Sequence, residues 1–120
     1  TLVGLFVWGV GFFFETVGDW QLAQFISRLE NKGKIMQSGL WRYSRHPNYF
    51  GEVTLWWGVW LIALSASVHV LSIIGPFTIT FLILFISGIP LVEKKYTGRP
   101  DFVAYKRRTS VFLPLPPKKV

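Results

Sequence analysis

Most of the polar side chains that could do chemistry in this chain lie in one stretch, GLWRYSRHPNYFGE, from Gly39 to Glu52. Proline has its φ fixed near about −65° and lacks an N–H, which suits the first turn of a helix and fits poorly inside one. The stretch therefore reads as a loop up to Arg45 or His46 and a helix from Pro47 onward. The unpaired N–H groups of that first turn, at the positive end of the helix dipole, then face a loop carrying Arg42, Arg45 and His46, an arrangement suited to a phosphate or a carboxylate. Asn48 and Glu52 stand four apart and share one helix face, with Arg45 about one turn earlier. Trp41, Tyr43 and Tyr49 can also be read as interface aromatics, and Arg42 and Arg45 as anchors on the basic side of a membrane. Glu52 resists that plainer reading, because a carboxylate in the second turn of a span is costly unless it is paired or lines a cavity.

The elements that must position these residues are apolar. Of 120 residues, 51% are hydrophobic, high for a soluble domain of this length, so a single all-α domain of polytopic membrane helices over residues 1–120 is expected. Five of the thirteen Lys and Arg lie between Arg28 and Arg45, the other eight between Lys94 and Lys119, and the forty residues from Val53 to Val92 carry no charge. Forty uncharged residues make two spans. The positive-inside rule puts both basic blocks and the C-terminal tail in the cytoplasm, with a tight hairpin that enters near Pro47, turns outward at Ser65 to His69 and returns near Glu93. Nucleic-acid binding would also suit a net charge of +7, but the aromatics sit in the apolar runs and not among the basic residues, as a stacking platform requires. With no cysteine and two histidines, a structural metal and a thiol nucleophile are not expected.

Thr1 to Phe14 is uncharged, but fourteen residues rise only about 21 Å against a hydrocarbon core of about 30 Å, so this reads as a truncated first span. The chain opens within an apolar run with no basic segment before it; a signal peptide is not expected, and further N-terminal spans of the same protein are expected as partners. Glu15 and Asp19 follow four apart on one helix face, either in an ion pair or at a site. Lys32, Gly33 and Lys34 form a turn that could bring two ammonium groups to an anion or simply lie beside anionic lipid. Gly88 and Pro90 interrupt the returning span just before Glu93 and set that carboxylate on the side of Glu52. Pro100 and Asp101, followed by Lys106, Arg107 and Arg108, have the charge order of a short helix, either a surface anchor or a lid with Tyr105 and an arginine such as Arg108 turned inward. The proline-rich end from Leu113 to Val120 reads as an extended tail lying on the protein.

RHPNYFGE with the WWG that follows, GDWQL from Gly18 to Leu22, PLVEKK from Pro90 to Lys95 and YKRRTSVFLPLPP from Tyr105 to Pro117 together resemble the DUF1295 membrane family, which is grouped with the C-terminal domain of steroid 5α-reductases. RHPNYFGE is also similar to isoprenylcysteine carboxyl and phospholipid methyltransferases. The first resemblance implies the cofactor-binding half of an NADPH-dependent reductase. Its reaction would reduce a carbon–carbon double bond conjugated to a carbonyl in a lipophilic substrate. It places Asn48 and Glu52 at the nicotinamide end and Asp19 and Tyr43 on other parts of the cofactor, and the carbonyl-polarising acid upstream of this chain. Tyr49 is the remaining candidate proton donor within it. The wider cofactor set is then Asp19, Arg42, Tyr43, Arg45, His46, Asn48, Glu52, Glu93, Tyr105 and Arg108. The alternative implied by the second resemblance is a methyltransferase using S-adenosylmethionine, although Lys94 and Lys95 beside Glu93 would repel its sulfonium.

Overall fold

A computed structural model describes residues 1–66 and 69–119. Among them every regular element is helical: α1 (Leu2–Ile26), α2 (Pro47–Ser65), α3 (Ile74–Phe85), α4 (Ile89–Lys94) and α5 (Pro100–Arg108), with short 3-10 turns at Leu29–Asn31, Gly39–Arg42 and Val70–Ile73. The all-α expectation therefore holds. Of the outward turn expected at Ser65 to His69, Ser67 and Val68 lie outside the described residues, as does Val120 at the end of the tail.

Helix α1 runs on through Glu15 and Asp19 to Ile26, as one helix long and apolar enough to cross a membrane. A helix that packs one side against a neighbour can carry carboxylates there without interruption. The second segment that meets the same length and composition is Val70–Lys94. Little of either is covered within the chain: Leu2, Val3, Phe6 and Trp20 on α1 and Phe77, Phe81 and Phe85 on α3 are exposed. Apolar surface of this extent belongs to an integral membrane protein.

The main helix pair is α1 with α2 and not the expected hairpin of α2 with α3. The cause is a row of glycines. Gly4, Gly11 and Gly18 recur every seventh residue and are the buried positions of α1, and Gly51 and Gly58 repeat the spacing on α2. Gly4 meets Ile62, Gly11 meets Gly51 and Leu55, and Gly18 meets Asn48, so the two helices run antiparallel with backbones in contact. A Cβ on Gly11 or Gly51 would overlap the backbone of the facing helix. Small residues allow this approach, and close van der Waals packing then holds apolar helices together where burial from water cannot. Helix α3 is joined to α2 more loosely, by Trp57 Nε1 donating to Thr80 Oγ1 (2.8 Å), and the 3-10 turn before it by Trp60 Nε1 donating to Ser72 Oγ (3.0 Å).

Beyond Phe85 the helix breaks as the sequence led one to expect. The N–H groups of Ile86, Ser87 and Gly88 converge on the Leu82 carbonyl, and α4 restarts at Ile89 with Pro90 in its first turn. The tail returns to the Gly39–Glu52 stretch. Arg45 N donates to Ser110 O (2.8 Å), Leu115 N to Tyr43 O (3.1 Å) and Ser44 Oγ to Phe112 O (2.7 Å), while Lys118 N closes the tail onto Arg108 O.

Candidate functional site

Helix α2 begins at Pro47 with His46 as its cap residue, the boundary expected from the sequence. The loop before it is held from three sides. Gly39, at a φ of +62°, lies against Gln21, whose Oε1 accepts from Leu40 N (2.9 Å); a side chain at Gly39 would collide with that glutamine. Trp41 Nε1 donates to the Gly18 carbonyl (3.1 Å), pinning the loop to α1. Tyr105 of α5 donates from its hydroxyl to the Trp41 carbonyl, and Ser44 Oγ accepts from His46 N (3.0 Å). Burial pushes the Tyr105 phenol up from its ordinary pKa, so it stays a protonated donor.

Behind this loop lies a cavity of about 300 Å³, bounded by the end of α1, residues 34–36, the start of α2, α4 and α5. Its polar groups are Arg45, His46, Asn48, Glu93 and Lys34; Trp41, Tyr49, Tyr96, Phe102 and Tyr105 give it aromatic walls, with Leu22, Phe25 and Met36 on the apolar side. Arg45 Nη1 and His46 Nε2 both meet Glu93 Oε2, at 2.8 and 2.7 Å. The first two side chains are almost wholly buried, and the guanidinium also lies 5.9 Å from the Phe102 ring centroid. The buried Nε of Arg45 has no hydrogen-bond partner among the described residues. The atom is covered, while other parts of the same side chain line the cavity.

The cavity gathers Arg45, His46, Asn48, Tyr49, Glu93 and Tyr105 from the expected set. Asp19 and Glu52 stand off it, along the seam of α1 and α2, and Asn48 links the two places by donating from Nδ2 to Asp19 Oδ1 (3.0 Å). Three expected residues lie elsewhere. Arg42 and Tyr43 are exposed, the guanidinium 6.0 Å from the ring, and Arg108 is exposed with its Nη2 on Gln37 Oε1. The expected anion site made jointly by Arg42, Arg45, His46 and the α2 terminus is therefore corrected. A buried guanidinium needs a carboxylate nearby, and Glu93, delivered by the break after Phe85, meets both Arg45 and His46.

Sequence reasoning missed Tyr96 and Ser44. Tyr96 follows Glu93 by three residues, so helical spacing could have placed both at one site, and its ring packs 5.4 Å from that of Phe102. Ser44 is fully buried, and nothing in the residue type announces that. Of the lysine turn, Lys34 lines the cavity and Lys32 does not.

The family described as "Protein of unknown function (DUF1295)" matches residues 1–109. The chain belongs to the DUF1295 family. No curated protein and no solved structure matches it. The matched stretch includes every cavity residue, from Leu22 to Tyr105, so the site of this DUF1295 protein is built entirely from the part that the family shares.

Proposed function

We propose that this DUF1295 chain is the cofactor-binding part of a membrane-embedded, NADPH-dependent reductase of a conjugated double bond in a lipophilic substrate. The observation that carries the reading is the cavity at the end of the apolar helices, where aromatic walls meet Lys34 and Arg45. The donor set suits one nucleotide-sized portion of such a cofactor: rings can pack on Trp41, Tyr49 or Tyr96, while Arg45 and Lys34 hold anionic or carbonyl oxygens. About 300 Å³ is at the lower end for a cofactor site, so the remainder of a dinucleotide would extend beyond the described walls. NADPH, when bound, supplies a hydride to the β-carbon of the double bond. The chain's own part is to orient that cofactor through Asn48, Arg45 and His46, to exclude water with the aromatic walls, and to hold a proton at Tyr49 Oη for the α-carbon. Tyr49 is suited to that role because its hydroxyl has no hydrogen-bond partner among the described residues.

A second reading, a methyltransferase using S-adenosylmethionine, gains from one observation. Glu93 lines the cavity, whereas Lys94 and Lys95 are exposed and line none of it, so the repulsion expected from those two lysines is reduced, with Lys34 and Arg45 left as the cations of the wall. The two readings separate in a thermal-shift or calorimetric titration of the purified full-length protein in detergent. NADPH should stabilise it, NADH less, and S-adenosylmethionine little. Stabilisation by the sulfonium compound alone would replace the reductase with the methyltransferase. Glu52→Gln adds a check on the seam: a loss of NADPH affinity at unchanged stability extends the site to Glu52, and unchanged affinity confines it to the cavity.

The same proposal sets the basic end in the cytoplasm. These 120 residues have no cysteine, so Lys119→Cys gives a single label site within them. Labelling of intact cells by an impermeant maleimide would reverse the orientation.

A further inference from the structure

On the opposite side of Glu93 from the cofactor cavity lies a second one, of about 320 Å³, where Lys94, Thr97 and Gly98 face Val103 and Lys106 of α5, with Pro90 at its edge. Neither Lys94 nor Lys106 has an ion-pair or hydrogen-bond partner among the described residues; the Lys106 ammonium lies 5.7 Å from the Phe102 ring centroid. Glu93 also reaches this cavity, but its carboxylate is held by Arg45 and His46, so its charge is largely offset. The site is thus a two-lysine recess with a hydroxyl and without a free acid. Its position identifies the kind of anion. It sits at the polar end of the apolar segment Val70–Lys94, on which Phe85, Ile86 and Leu91 are exposed, and exposed Val103 lines it.

We propose that this recess binds the phosphate of an anionic phospholipid headgroup, Lys94 and Lys106 pairing with the phosphate while the acyl chains lie along Leu91, Ile86 and Phe85. Two ammonium groups beside a phosphodiester offset its charge, and each basic residue near an anionic leaflet contributes attraction that falls off over a Debye length. A free phosphate would satisfy the lysines but leave the apolar rim exposed to water; a zwitterionic lipid would cover the rim but bring a cation to the lysines. The site is independent of the identity of the cofactor on the other side of Glu93.

The test uses the full chain in neutral detergent, titrated with dihexanoyl phosphatidylglycerol, dihexanoyl phosphatidylcholine or inorganic phosphate, with the unfolding midpoint as readout. Phosphatidylglycerol should bind roughly tenfold tighter than phosphatidylcholine, and inorganic phosphate should leave the midpoint unchanged. Lys94→Gln with Lys106→Gln should abolish the preference, leaving the midpoint in phosphatidylcholine where it was, and Lys94→Arg with Lys106→Arg should retain it. Equal response to the two lipids, a matching response to inorganic phosphate, or a preference that survives the glutamine pair would each overturn the proposal. Should the glutamine pair not fold, salt decides on the native chain: a preference that persists unchanged at high ionic strength overturns it, and one that fades supports it.

Discussion

The seam between α1 and α2 and the cluster around Glu93 are both buried junctions between helices, and they are held by opposite means. At the tightest part of the seam side chains are missing: Gly11 and Gly51 let backbones touch. At the cluster, side chains reach across. Arg45 and His46 come from the start of α2 and Glu93 from α4, meeting on one carboxylate oxygen. The first junction is fixed by shape and has no room to change. The second leaves a cavity, which is where a ligand could be accommodated. Rigidity along α2 thus supports chemical freedom at its start.

The sharpest way to break this comparison is at the cluster. Glu93→Ala leaves buried Arg45 and His46 without their carboxylate, and removal of one partner from a buried pair costs about 3–5 kcal/mol. Thermal unfolding in detergent should show that loss, and Arg45→Met with Glu93→Leu together should recover most of it while removing cofactor binding. A double variant that still binds would take the cluster out of the site.

At the seam, Gly11→Ala should cost about 1–3 kcal/mol or more, because the new methyl overlaps the α2 backbone and the helices must separate. Gly9, two residues away, has open space around it, and Gly9→Ala should not destabilise. Equal effects on the unfolding midpoint would mean that the seam is not closed in the protein as it exists in detergent.

A smaller loss is expected where the two regions are joined. Tyr105→Phe removes the hydroxyl that donates to the Trp41 carbonyl and should cost about 1–3 kcal/mol, since a buried acceptor loses its partner. A variant as stable as the parent would show that α5 does not hold the loop in place.

How much of this could be read beforehand follows the same division. The start of α2 at Pro47 and the break before Glu93 were legible because proline and glycine act locally, through φ and a missing N–H. The glycine seam is present in the sequence as a sevenfold spacing but is hard to read there, because small residues contribute little to apolar length. Arg42, Arg45 and Arg108 look alike in sequence. Only folding shows that Arg45 is paired and buried, while the other two face outward, because the partner of Arg45 lies 48 residues away and is delivered by a helix break. Tyr96 was overlooked because its role depends on the Phe102 ring it packs against across the turn before α5.

The smallest effects expected concern the cations at the rim, and they sharpen the comparison by asking whether charge or enclosure selects the ligand. Arg42 and Arg108 lie outside the cavity and Lys34 lines it, although all three are exposed. If charge near the mouth were enough, alanine at any of the three would reduce the preference for NADPH over NADH alike. If position decides, only Lys34→Ala does so, by about 0.5–1 kcal/mol, the usual size of an exposed ionic contact. That loss should shrink further at high ionic strength, since the screening length falls to about 3 Å at 1 M salt. Binding of NADPH and NADH to the three variants at low and high salt, by calorimetry in detergent, gives the comparison. A deficit confined to Lys34→Ala and erased by salt assigns the 2′-phosphate to the cavity mouth. A deficit in Arg42→Ala or Arg108→Ala of the same size would instead put the phosphate on the outer basic surface and leave the cavity to another part of the cofactor.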